Sequence, residues 1–158
     1  MARGPLVSRE LIDVPPGPFV HRWTVRLQDV DAAGVVFFPR ILELFNDTLF
    51  AYADAAGCSL VTLMLEDRVV LPVRRAEAEY LKPLRFGEIV EVAPVRCRMD
   101  GPDVALGFRL ARGCRAGEPG EVAAVGITEH VCVDAEQFCR TEVPGRLLAA
   151  LRPIPAFA

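Results

Sequence analysis

The chain has 158 residues, 52% of them apolar, and a formal net charge of −3. That length suits one domain with a substantial core, and so slight an acidic balance argues against a polyanionic partner such as nucleic acid. No apolar run approaches the roughly 18 residues that a membrane-spanning helix needs.

Residues 1–17 carry Pro5, Pro15 and Pro16 and read as a loose arm, leaving 18–158 as a single domain. The stretch from Met1 to Pro18 lacks the apolar block of a secretory signal, so a cytoplasmic protein is expected. Phe19 to Leu27 alternates polar and apolar side chains with the period of a strand. Gln28 to Phe37 is a loop that holds Asp29, Asp31 and Gly34.

From Phe38 the period changes to that of a helix. Ile41, Phe45, Leu49, Tyr52 and Ala56 form one stripe, widened by Leu42 and Ala53. Pro39 stands where a helix starts, because its missing N–H costs nothing there, and Gly57 is a natural stop. The spacing predicts a helix over 38–56 and a short second one over 59–67 capped by Ser59. Strands follow over 69–81, 88–98, 103–112 and 121–133, with an Asp100-Gly101-Pro102-Asp103 turn, and a closing helix over 144–151. Strands joined by short turns pair antiparallel, and one long helix can bury its stripe only against their sheet. The expected class is α+β, a curved antiparallel sheet wrapped around one central helix.

Cys58, Cys97, Cys114, Cys132 and Cys139 are odd in number and irregularly spaced, which suits buried free thiols and no disulfide framework. No two are spaced as a zinc-binding pair, and His21 and His130 are too few for a histidine metal site. No metal and no cofactor are expected.

The stretch Val25-Arg26-Leu27-Gln28-Asp29-Val30-Asp31-Ala32-Ala33-Gly34-Val35-Val36-Phe37-Phe38-Pro39 resembles the signature of the 4-hydroxybenzoyl-CoA thioesterase family of hotdog proteins. It keeps both aspartates, the glycine and the aromatic pair, between a strand and the central helix. Leu71-Pro72-Val73 and Val143-Pro144-Gly145 fit the same pattern. Within the family, Asp31 to Phe38, Leu71-Pro72-Val73 and His130-Val131-Cys132-Val133 resemble the 1,4-dihydroxy-2-naphthoyl-CoA hydrolases. The resemblance implies a hotdog fold and hydrolysis of an acyl-CoA thioester.

It also implies roles. Asp31 would supply the carboxylate, as general base on water or as nucleophile; Phe38 would supply the backbone N–H that receives the oxyanion; Gly34 would permit the turn between them. The physics of a helix start agrees, since its first N–H groups lack intrahelical partners and its dipole favours negative charge. The competing reading of Asp31 is a turn-shaping or capping residue; Asp29 fits a turn or supporting role. Phe37, Phe45, Asn46 and Asp47 are the acyl-binding candidates, with Asn46 placed to meet a ring hydroxyl, against the alternative of a solvated helix face. Glu43 is a lesser catalytic candidate. Arg74, Arg75, Lys82, Arg85, Arg96 and Arg98 are the cations available to CoA phosphates, each otherwise a surface charge. His130 reads as a satisfied half-buried residue, and His21 and Trp23 as core or interface.

Two alternatives differ in carrier or in class: a thioesterase acting on acyl-carrier protein, and a non-catalytic acyl-CoA-binding subunit, which would have lost the carboxylate that Asp31 supplies. A sheet with an uncapped edge is a pairing template, and the resemblance implies active sites between protomers, so a homo-oligomer is expected, a dimer at least and a tetramer by preference.

Overall fold

A computed structural model of the chain describes residues 8–115, 118 and 120–158. Positions 1–7 of the expected arm, and three positions of the 113–120 loop, lie outside them. The strands are β1 (His21–Thr24), β2 (Val69–Val70), β3 (Val73–Tyr80), β4 (Ile89–Asp100), β5 (Asp103–Arg112), β6 (Glu121–Val131) and β7 (Val133–Asp134). Five of them form one antiparallel sheet in the order β1-β4-β5-β6-β3, and β2 pairs separately with β7. The helices are α1 (Pro39–Ala55), the single turn α2 (Leu60–Thr62), continued as a wider turn over Leu63–Asp67, and α3 (Gly145–Leu151). This is the hotdog fold: one long helix packed across an antiparallel sheet.

The ends of α1 follow from its sequence. Pro39 is the first helical residue. At the other end Gly57 turns left-handed, with φ of 73°. Its N–H reaches the Asp54 carbonyl at 3.0 Å, and that of Cys58 reaches Ala53 at 2.8 Å, which satisfies the last carbonyls of the helix. The Ser59 hydroxyl accepts from the Val61 N–H at 3.2 Å, as a cap should. Ile41, Leu44, Phe45, Leu49, Tyr52 and Ala53 are buried, and the first of these join one core with Val90, Val92, Leu106, Phe108 and Leu110 of the sheet. No single helix among the described residues is long and apolar enough to cross a membrane.

Two expected strands break. The first is split at Leu71-Pro72, where proline has no N–H for the ladder. The second ends at Cys132, whose N–H turns to the Pro102 carbonyl at 2.7 Å. Strand β4 carries Pro94 in its middle without harm, because Pro94 lies beyond the four residues that β1 pairs and beside the bulge at Val95.

The expectation of a loose arm needs correction from Ser8 onward. Ser8–Leu11 forms a short 3₁₀ turn, and Leu11 and Val14 are buried with Ala93, Val95, Val125 and Ile127 on the sheet face away from α1. The Ser8 N–H donates to Glu77 Oε1 at 3.1 Å. The C-terminal segment joins the same layer: the Cys97 N–H bonds to the Pro155 carbonyl at 2.8 Å, and Phe157 packs against the cluster. Gly107 makes the approach possible, since a Cβ there would lie 2.9 Å from Leu11 and 3.0 Å from Phe157. Both faces of the sheet are therefore covered by this chain's own side chains.

All five cysteines are free. Burial pushes the Cys97 thiol up to about 12 and that of Cys132 to about 11, so neither is a nucleophile at neutral pH. Among the described residues no group of three or more histidine, cysteine or carboxylate side chains is placed to hold a metal ion.

Candidate active site

The loop between β1 and α1 is built around Asp29. Residues Leu27–Asp29 form a 3₁₀ turn that brings the Asp29 carboxylate back to the chain. The group is fully buried. It accepts the Arg26 N–H at 2.8 Å, the Arg26 Nε at 3.2 Å and the Arg40 Nε at 3.0 Å, and Arg40 Nη2 stands 2.8 Å away. Burial pushes this carboxyl up, but the bonds from Arg26 and Arg40 outweigh it and hold it below its usual value. Asp29 thus ties the loop to the first turn of α1 and has no free oxygen for chemistry.

Past Asp29 the chain closes on itself. Val30 bridges Val36, the Asp31 N–H donates to the Val35 carbonyl at 2.9 Å, and the Gly34 N–H donates to the Asp31 carbonyl at 3.0 Å. Gly34 has φ of 75°, and a Cβ there would meet nothing within 4 Å. The turn therefore demands glycine for its backbone conformation and not for space. Gly34 is not among the residues that line the neighbouring cleft. Asp31 is exposed, and its Oδ1 accepts the Ala33 N–H at 2.8 Å, which orients the carboxylate without consuming it.

Asp31, Phe37 and Phe38 line one cleft of about 390 Å³, together with Val35, Val36, Ile41, Tyr80, Lys82 and the small Ala123 and Ala124 of β6. Phe38 is the N-cap residue of α1. Its N–H has no acceptor among the described residues, while the N–H groups on either side are used: Phe37 donates to the Asp29 carbonyl at 2.8 Å and Arg40 to the Phe37 carbonyl at 2.9 Å. The Phe37 carbonyl points into the helix, so the N–H of the same trans peptide points away from it. A carboxylate and an unpaired helix N-terminal donor on one apolar wall are what thioester hydrolysis requires: a group to deliver oxygen to the carbonyl carbon and a donor for the developing oxyanion.

The acyl-binding candidates on the helix lie elsewhere. Phe45 is fully buried and stacks on Phe108 with ring centroids 5.1 Å apart; it is a core residue, and its expected contact with substrate is corrected. Asn46 lines a second cleft of about 310 Å³ with Leu49, Phe50, Val61, Met64 and His130. It stands eight residues beyond Phe38, about 12 Å along the helix axis at 1.5 Å per residue, so within one chain it does not share a cleft with Asp31. Asp47 is exposed and lines neither cleft. Glu43 is exposed and pairs with Arg40.

His130 is the satisfied residue expected: one ring nitrogen lies 3.1 Å from the Leu71 carbonyl and the other 2.9 Å from the Thr128 hydroxyl. Burial holds its pKa below the usual value, so the ring is neutral. Of the expected cations, Arg74 and Arg75 pair with Glu129, and Lys82 with Glu121 at 3.0 Å. Tyr80 was not legible as part of the site. Nothing in the sequence links it to Phe38, 42 positions away, yet its hydroxyl donates to the Phe38 carbonyl at 3.1 Å.

A sequence profile of the thioesterase-like superfamily matches residues 25–151. The chain belongs to the thioesterase-like superfamily. It is a thioester hydrolase. Among the curated members similar to it, a 1,4-dihydroxy-2-naphthoyl-CoA hydrolase from Thermosynechococcus vestitus is 30% identical over 138 residues, covering 85% of this chain and 89% of that one. One of the same name from Nostoc punctiforme is 26% identical over 132 residues, covering 82% and 84%. In fold, this superfamily member is similar to a 1,4-dihydroxy-2-naphthoyl-CoA thioesterase from Synechocystis, with a TM-score of 0.75 at 20% identity over 85% of this chain and 95% of that one. It is also similar to the Dynemicin thioesterase, with a TM-score of 0.76 at 24% identity over 88% and 98%.

Proposed function

We propose that this superfamily member hydrolyses an aryl-CoA thioester, with 1,4-dihydroxy-2-naphthoyl-CoA as the substrate class. Asp31 is the catalytic carboxylate and the Phe38 N–H the oxyanion donor. The observation that carries the reading is that one cleft is lined by the exposed Asp31 and by Phe38, whose N–H is unpaired among the described residues. The curated relatives named as hydrolases of that CoA ester support the choice of acyl group. In the reaction, oxygen from water or from the Asp31 carboxylate adds to the thioester carbon. The carbonyl oxygen takes up negative charge against the Phe38 N–H, the C–S bond breaks, and CoA leaves as its thiolate, which takes up the proton that Asp31 removed from water or, where Asp31 itself adds, a proton from solvent. If Asp31 itself adds, water then hydrolyses the resulting anhydride and restores the carboxylate.

The active unit in this reading is a dimer formed through β3, the edge strand of the sheet. Antiparallel pairing of two β3 strands about a twofold axis through the middle of the strand would set Tyr80 of one copy beside Val73 of the other. The Asp31 cleft then adjoins the partner's second cleft, which Val69, Val70, Leu71 and Asn46 line. Asn46 thereby regains its expected part as a partner for a ring hydroxyl, but from the other protomer. Phe37, half exposed beside Asp31, is an aromatic wall for the acyl ring.

The test is a panel of thioesters assayed with the purified protein: 1,4-dihydroxy-2-naphthoyl-CoA, benzoyl-CoA, palmitoyl-CoA and an acyl-carrier-protein thioester. The highest kcat/KM is expected for the dihydroxynaphthoyl ester. A preference for the carrier-protein thioester would move the enzyme to another carrier, and no turnover of any thioester would remove the catalytic reading.

A further inference from the structure

The helix start that presents the Phe38 N–H is unusual in what holds it. A helix normally opens on Ser, Thr, Asp or Asn, whose side chain caps the first free N–H groups. Here the N-cap is Phe38, no side-chain cap is made, and Pro39 follows with no N–H at all. The side chain that could reach back to the N-cap N–H is that of the third helical residue, and Ile41 in that position has no acceptor to do so. The local sequence thus leaves the donor free but supplies little to fix it. On the helix side, the Phe38 carbonyl accepts the Ile41 N–H at a long 3.3 Å.

Its second partner comes from the sheet. The Tyr80 hydroxyl donates to the Phe38 carbonyl at 3.1 Å, and the two rings meet edge to face, with centroids 6.4 Å apart and planes at 86°. Tyr80 is itself fixed: it stands opposite Ala124 on β6, and the next two N–H groups, of Leu81 and Lys82, both donate to the Ala123 carbonyl, at 2.9 and 3.1 Å. Holding the Phe38 carbonyl fixes the backbone rotation about Phe38 and so the direction of its N–H.

We propose that Tyr80 is a positioning residue of the active site, which acts through its hydroxyl to aim the Phe38 N–H at the oxyanion. The inference rests on the reading of Asp31 and Phe38 above. Partial burial raises the Tyr80 pKa, so the phenol remains a donor across the working range of an enzyme of this kind. A wall residue that merely touched the acyl group would act on binding. A residue that aims the oxyanion donor acts on the step in which charge develops.

Tyr80→Phe keeps the ring contact and removes the hydroxyl. With 1,4-dihydroxy-2-naphthoyl-CoA as probe, and benzoyl-CoA if that ester is not turned over, kcat should fall about three- to tenfold, the loss of one neutral hydrogen bond. KM and the melting temperature should stay near their wild-type values. An unchanged kcat, or a raised KM at unchanged kcat, would overturn the positioning role. Asp31→Asn, measured beside it, separates the two failures. Loss of turnover in Asp31→Asn with a normal Tyr80→Phe defeats only Tyr80, whereas an active Asp31→Asn defeats the site and the role of Tyr80 with it.

Discussion

The Arg40 guanidinium, in the first turn of the long helix, sits 2.8 Å from the fully buried carboxylate of Asp29, at the end of the preceding 3₁₀ turn. This ion pair, completed by the Arg26 bonds, sets the distance between the loop that carries Asp31 and the helix end that carries Phe38. Asp29→Asn should therefore destabilise the fold by about 1.5–3 kcal/mol, the range for hydrogen bonds to a charged group. Activity should fall in parallel through lost geometry.

The same pair has a pH signature. The folded state holds the Asp29 carboxyl below its usual 3.8, so it binds a proton less readily than the unfolded chain does. Its contribution is complete above that value and is lost as pH falls toward the lowered one. Burial likewise holds His130 below 6.5, so the stability that comes from its neutral ring is lost as pH falls below that figure. Urea unfolding between about pH 7 and pH 3 should show stability declining in two windows. Asp29→Asn should flatten only the more acidic one.

Asp31 is exposed, and its side chain makes one backbone bond that asparagine can also make. Asp31→Asn should lower kcat at least about a hundredfold, the low end for a lost acid–base group. The melting curve should be unchanged. A near wild-type rate from the purified variant would show that Asp31 only shapes the turn.

Phe45 and Asn46 are neighbours in sequence with opposite fates. Phe45→Ala empties a site against Phe108 and should cost about 3–5 kcal/mol, leaving the ranking of thioesters intact. Asn46→Ala should cost little stability. It should lower kcat/KM for 1,4-dihydroxy-2-naphthoyl-CoA more than for benzoyl-CoA, since a site built for a hydroxyl discriminates against substrates that lack it. Equal losses on both esters would remove Asn46 from acyl recognition.

Light scattering at micromolar concentration should report a dimer at least. A monomer that keeps full activity would refute pairing through β3, and with it any part for the partner's Asn46.

The sequence by itself determined the order of the main elements and the hotdog class of fold. The period of Ile41, Phe45 and Leu49 gave the long helix, Pro39 and Gly57 gave its ends, and the Asp29-to-Phe38 signature pointed to the thioesterase-like superfamily, because each of these is written within a few adjacent residues. What it could not decide was which way neighbouring side chains on one helix face. A stripe wide enough to bury Phe45 leaves Asn46 a step of 100° away, and only the position of the sheet shows that one faces Phe108 and the other a separate cleft. Residues 8–14 read as a loose arm because the prolines that flank them, Pro5 on one side and Pro15 and Pro16 on the other, argue against regular structure, whereas their burial depends on a sheet face that forms from residues 93–127. Tyr80 depends on the same kind of distance. Its bond to Phe38 spans 42 positions and exists only because β3 is the strand that the sheet sets beside the start of α1.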